Sequence, residues 1–122
     1  MTKLTLDDEY SIDVIRRKEA EAGSKKFDKG KPPLSLIPLA ALEAEAKVFA
    51  FGAAKYGRDN FKLGMEWTRL VDACLRHVYA FSNGEDIDKE SGLSHLGHAR
   101  CCLSMLLYYT ENNKGKDDRY KE

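Results

Sequence analysis

The sequence predicts an all-α protein: a bundle of three main helices with a further helix at the amino terminus. Three observations predict it. Three separate stretches repeat apolar residues at spacings of three and four, no stretch alternates polar and apolar residues over the length of a strand, and turn-forming residues divide the stretches from one another.

Taken in order, residues 7–22 are charged and helix-permissive, with Tyr10, Ile12, Val14 and Ile15 as sparse apolar anchors. The next segment, rich in Lys25, Lys26, Lys29 and Lys31 and holding Gly23, Gly30 and Pro32-Pro33, reads as a basic loop. Leu39, Leu42, Ala46, Phe49, Ala53 and Tyr56 then mark the first core helix, stopped at Gly57. Trp67, Leu70, Cys74, Val78 and Phe81 mark the second, with Thr68 as its cap and Gly84 beyond its end. An acidic loop follows, Glu85, Asp86, Asp88 and Glu90 between Ser82-Asn83-Gly84 and Ser91-Gly92. Leu96, Ala99, Leu103, Leu106 or Leu107, and Thr110 mark the third helix, which starts near Ser94 and is lost in Asn112-Asn113-Lys114-Gly115.

With 122 residues, 43% hydrophobic and 33% charged, the chain is expected to form one soluble domain over 1–122, with an amino-terminal arm at 1–23 and a charged tail at 113–122. Twenty basic residues balance 20 acidic ones, so no global field draws it to nucleic acid or to anionic lipid, and no apolar run approaches membrane length. Cys74, Cys101 and Cys102, an odd set without a CxxC, read as reduced thiols in a cytoplasm. Leu106, Leu107, Tyr108 and Tyr109 make an apolar face wider than one stripe, which a homo-oligomer, dimer or tetramer, would cover.

Chemistry gathers in two places. The acidic loop runs into His95-Leu-Gly-His98, two imidazoles on one helical face, and this mixture of carboxylate and imidazole suits a divalent metal unless the loop is simply solvated. His95, His98 and Cys102 share a face as well and offer a zinc reading. In the basic loop, Lys26 and Lys31 present ammonium groups around a glycine, fit to clamp a phosphate chain or to face water, and Lys55 and Arg58, flanking the end of the first helix, could meet the same anion or simply complement the helix dipole. Arg69, Asp72 and Arg76 form a charged face on the second helix, from which Arg76 could reach a phosphate. His77 reads as a core histidine. There is no His-Asp dipeptide and no GxSxG, so metal-activated water is the remaining hydrolytic chemistry.

Lys26-Phe-Asp28, Gly30-Lys31-Pro32, Leu36-Ile-Pro38, Phe51-Gly-Ala-Ala-Lys-Tyr56, Asn60, Arg76-His77, Gly84-Glu85, Asp88, Glu90-Ser-Gly92 and His95-Leu-Gly-His98 together resemble the phage dATP/dGTP diphosphohydrolases, a branch of the MazG-like all-α nucleoside triphosphate pyrophosphohydrolases. The resemblance covers about residues 24–110. It implies a MazG-like helical oligomer in the cytoplasm of an infected host, using Mg²⁺ or Mn²⁺ to hydrolyse a purine nucleoside triphosphate, dGTP or GTP in the branch that serves 2-aminoadenine synthesis, to monophosphate and pyrophosphate. It implies Glu85, Asp88, Glu90, His95, His98 and Glu43 as metal ligands, with Glu90, Asp88 and Arg76 catalytic. Lys26, Lys31, Lys55, Asn60 and Arg76 would bind substrate. The wider superfamily carries an ExxE helix and an ExxD helix; here His95-Leu-Gly-His98 stands for the second, and Ala46 replaces the acid that an ExxE from Glu43 needs. The alternative is a helical protein that binds a nucleotide or a partner without catalysis.

Overall fold

A computed structural model describes residues 14, 15, 17, 18 and 30–122, which fall into two compact units, Met1–Ile37 and Pro38–Glu122. In the first, residues 14, 15, 17 and 18 are helical, as expected of the amino-terminal helix, and Leu34–Leu36 is a single 3-10 turn closed by the Ile37 N–H on the Leu34 carbonyl (3.1 Å). The other residues of 7–22, and Lys26, lie outside the described residues.

The second unit holds three helices: α1 (Leu39–Tyr56), α2 (Trp67–Ser82) and α3 (His95–Asn112). A 3-10 turn, Asn60–Leu63, joins α1 to α2. Among the described residues there is no strand, and no helix is long and apolar enough to cross a membrane. Helices α1 and α3 begin and end where local chemistry requires. Pro38 precedes α1, and Gly57, at φ 95°, ends it with its N–H on the Ala53 carbonyl. The Ser94 hydroxyl accepts from the Leu96 and Gly97 N–H groups at the start of α3, and Asn113, left-handed at φ 51°, closes its end.

At the start of α2 the structure corrects the sequence reading. Thr68 lies within the helix and is itself capped: its N–H and hydroxyl donate to Asp118, at 2.9 and 2.6 Å. The segment after α3, expected as a charged tail, is therefore bound to the start of α2. Lys116 N–H donates to the Met65 carbonyl, Trp67 Nε1 to the Lys114 carbonyl, and the Arg119 guanidinium sits 5.0 Å from the Trp67 ring centre. Gly64 and Gly115 permit the approach, since a Cβ on Gly64 would meet the Gly115 nitrogen at 2.5 Å.

The core is Trp67, Leu70 and Cys74 of α2 against Ala99, Cys102 and Tyr109 of α3. The inward faces differ in part from the predicted stripes. On α1 the buried residue is Val48, whereas Leu39 and Leu42 are exposed. The reason is the crossing with α3: Gly97 presses against Ala44, where a Cβ would meet the Ala44 carbonyl oxygen at 2.7 Å, and this turns the small-residue face of α1 inward. Val78 and Phe81 of α2, and Leu96, Leu103 and Leu107 of α3, are likewise exposed.

Candidate metal and substrate site

The acidic loop between α2 and α3 is folded rather than loosely solvated. Glu85 N–H donates to the Ala80 carbonyl (3.0 Å), Asp88 N–H to Leu93 (2.8 Å) and His95 N–H to Asp86 (3.0 Å), with Ile87 and Ser94 paired as an antiparallel bridge. Folded in this way, the loop returns its carboxylates to the helix ends. Glu85 Oε1 lies 3.5 Å from His95 Nε2, and Asp88 Oδ2 lies 3.7 Å from His98 Nε2.

Three imidazoles meet there. The Nδ1 atoms of His77 and His95 are 2.9 Å apart, and the His77 and His98 rings stack at 4.3 Å with 6° between their planes. His95 is buried, and its Nε2 is buried without a hydrogen-bond partner. Ser91 ties the loop to the cluster: its N–H donates to Asp88 Oδ2 (2.9 Å) and its hydroxyl lies 2.6 Å from His98 Nε2. Among the described residues, one ligand atom each from His77, Asp88 and His95 falls within 4.8 Å of the others.

Burial holds the His77 imidazole below its ordinary titration range, helped by repulsion from His98 and His95. Burial also lowers His98, against the attraction of Asp88. For Asp88, burial is the largest single influence and pushes upward, but the Ser91 hydrogen bonds and the nearby imidazoles hold the carboxyl below its usual range. His77 and His98 thus offer neutral imidazoles beside the ionised Asp88 carboxylate, donor types that a divalent cation takes.

His77 and His98 also line one part of a cavity of about 700 Å³. Its walls are largely apolar and aromatic, with Phe49, Phe51 and Phe61 among them, and Lys55, Arg58 and Asn60 add polar groups. The Asn60–Leu63 turn is pinned by the Tyr109 hydroxyl, which donates to the Phe61 carbonyl at 2.6 Å. Phe61 in turn packs between Phe49 and Tyr108, with ring centres 5.2 and 5.6 Å away.

Of the residues expected from sequence, Glu85, Asp88, His95 and His98 come together here. Glu90 is exposed beside them and its charge acts on His98. Arg76 is exposed on α2, where its charge acts on His77. Lys55 and Asn60 line the cavity. Lys31 is exposed in the first unit. Glu43 is exposed on α1 and forms no ion pair with the cluster among the described residues. The inward acid of α1 is Glu45, bound to Arg100 Nε at 3.3 Å and by the Ser104 hydroxyl at 2.6 Å.

Two readings need correction. His77 is not a plain core histidine: it stacks on His98 and faces His95. Cys102 does not join His95 and His98: the metal-type donors that converge are His77, Asp88 and His95, and burial pushes the Cys102 thiol up to about 11.

Residues 21–119 match the family described as dATP/dGTP diphosphohydrolase, N-terminal. A dATP/dGTP diphosphohydrolase of Salmonella phage PMBT28 is 44% identical over 94 residues, which are 77% of this chain and 32% of the relative. The chain therefore spans about a third of that relative's length. No solved structure matches it.

Proposed function

The chain belongs to the dATP/dGTP diphosphohydrolase family, through its amino-terminal domain, and on that premise we propose that it hydrolyses a purine nucleoside triphosphate, dGTP or GTP, to the monophosphate and pyrophosphate in phage nucleotide metabolism, with Mg²⁺ or Mn²⁺. One observation carries the reading: an imidazole-carboxylate cluster borders an aromatic cavity large enough for a nucleoside, with cationic side chains on its walls. The donor set fits a divalent cation, because one ligand atom each of His77, Asp88 and His95 lies within 4.8 Å of the others and the Asp88 carboxyl is held ionised.

Asp88 and His95 would hold that cation, with Glu85 and His98 beside them. A divalent cation supplies charge neutralisation on a triphosphate and lowers the pKa of water. Phe61 and Asn60 orient the base, the first by ring contact and the second by hydrogen bonds. Lys55 and Arg76 bind the phosphate oxygens and offset their charge. Glu90 takes the proton from the attacking water, whose oxygen bonds to the α-phosphorus as the bond to the bridging oxygen breaks and pyrophosphate leaves. A second copy of the chain covers the exposed Leu103 and Leu107 of α3, giving the oligomer.

The test is a panel of nucleoside triphosphates with Mg²⁺ or Mn²⁺, the products resolved by anion exchange. The expected result is monophosphate and pyrophosphate from dGTP or GTP, lost on chelation and on Asp88→Asn substitution. Release of orthophosphate, or turnover that survives chelation, refutes it. The chain spans a third of its relative, which favours a second reading, a nucleotide-binding domain without turnover. Binding of dGTP with no product at all would select that one.

A further inference from the structure

We propose that His77 Nδ1, His95 Nδ1 and Asp88 together form a binding site for one octahedral first-row transition-metal ion, of the Mn²⁺ to Ni²⁺ class, in preference to Mg²⁺. The inference rests on the metal-dependent reading above and sharpens it: it adds a ligand outside the expected set and excludes the hardest cation.

The first argument is spacing. Two ligands at right angles on one ion, each bonded at about 2.1 Å, stand about 3.0 Å apart, whereas a tetrahedral ion at the same bond length separates them by about 3.4 Å. The His77 and His95 nitrogens are 2.9 Å apart. The second is the buried polar atom behind them. With Nδ1 of His95 given to a cation, the ring proton resides on Nε2, which is buried, has no hydrogen-bond partner and stands 3.5 Å from Glu85 Oε1. That is the carboxylate-imidazole-metal arrangement by which an outer carboxylate fixes the tautomer and orientation of a metal-binding histidine. The third is the acid. The Ser91 amide and His98 Nε2 both approach Asp88 at Oδ2, leaving Oδ1 for another partner.

His98 belongs to this design as a support. It stacks flat on His77 and is held by Ser91 Oγ, so it fixes the plane of the His77 ring while taking no share of the ion. Two imidazoles and one carboxylate leave three octahedral positions for water or phosphate oxygens. Imidazole nitrogen is a poor donor for Mg²⁺, which prefers oxygen and keeps its waters, and a good one for the transition series. The selectivity therefore follows from the donor types.

The experiment is a titration of the metal-stripped wild-type chain with Co²⁺, followed by visible absorbance. One equivalent is expected to bind with the weak bands of an octahedral ion, and a large excess of Mg²⁺ is expected not to displace it. His77→Gln should weaken binding by at least about tenfold, and Glu85→Gln should weaken it measurably, through the orientation of His95. Equal affinity in His77→Gln, strong tetrahedral bands, or displacement by Mg²⁺ each overturns the proposal. If the His77 variant loses its helical circular dichroism, wild-type crystals grown with Mn²⁺ decide: an anomalous peak bonded to both Nδ1 atoms supports the site, and a peak elsewhere or none overturns it. The function and the site fail separately. Co²⁺ bound through His77 with dGTP left intact removes the hydrolase reading alone, and pyrophosphate release with Co²⁺ binding unchanged in His77→Gln removes this site alone.

Discussion

Tyr109→Phe isolates one hydrogen bond that connects the core to the cavity wall. Tyr109 is fully buried, and its hydroxyl donates to the Phe61 carbonyl at 2.6 Å. The substitution removes one oxygen and leaves the ring, so no cavity the size of a side chain opens. The Phe61 carbonyl is not orphaned, because the Gly64 N–H still donates to it at 3.0 Å. The cost is therefore that of one net hydrogen bond, about 1 kcal/mol, and not the larger penalty of an unpaired buried acceptor. In a domain near 100 residues, 1 kcal/mol shifts Tm by about 4–8 °C. Tyr109→Ala, which also empties the space of the ring, should cost about 3–5 kcal/mol. Thermal unfolding followed by circular dichroism measures both. Because Asn60 and Phe61 ride on the pinned turn, Tyr109→Phe should also raise KM for the nucleotide more than it lowers kcat. A Tm within about 1 °C of wild type, or a loss equal to that of the alanine variant, would refute the assignment of the hydroxyl as the pin.

Gly97→Ala should destabilise the α1–α3 crossing: overpacking against the Ala44 carbonyl costs about 1–3 kcal/mol, while alanine returns about 1 kcal/mol of helix propensity, and a raised Tm would contradict the contact. The native thiols should resist iodoacetamide at neutral pH, since burial pushes Cys101 up to about 12 and Cys102 to about 11; mass spectrometry should find them alkylated only after denaturation. The metal-free chain should lose stability on acidification. His77 and His98 are depressed from 6.5 in the folded chain, so below that value the unfolded chain takes protons that the folded one refuses. The loss begins as pH falls past about 6.5 and levels off below the folded values; a Tm that stays flat from about pH 7.5 to 5.5 would contradict it.

The helix positions were legible because their signals are local. Gly57 after α1 and Ser94 before α3 act on backbone groups within a few residues, and the one element ends and the other begins at them. The inward face of α1 was not legible. Its sequence is apolar on several sides, so Leu39-Leu42-Ala46 and Ala44-Val48 make equally good stripes by spacing alone. The choice is made by Gly97, about fifty residues later, whose missing Cβ admits only a small partner such as Ala44. The capping of α2 was hidden for a similar reason. Asp118 is fifty residues from Thr68, and nothing near Thr68 announces a cap supplied from so far along the chain.

The candidate site divides along the same line. Glu85, Asp88, His95 and His98 lie within fourteen consecutive positions, so one folded loop and the first turn of α3 suffice to gather them. His77 needs the tertiary structure, because it reaches His95 only when α2 and α3 pack against each other. A signal for it was nevertheless present. His77 follows Leu70 and Cys74 at spacings of seven and three, which puts it on the inward stripe of α2 near the end of that helix. A short loop then leads to a helix that opens with His95. Two helices joined by a short loop lie antiparallel, so the end of the first must face the start of the second. A histidine on the inward stripe at such an end stands opposite His95 and His98, and the hairpin that buries the core also assembles the cluster.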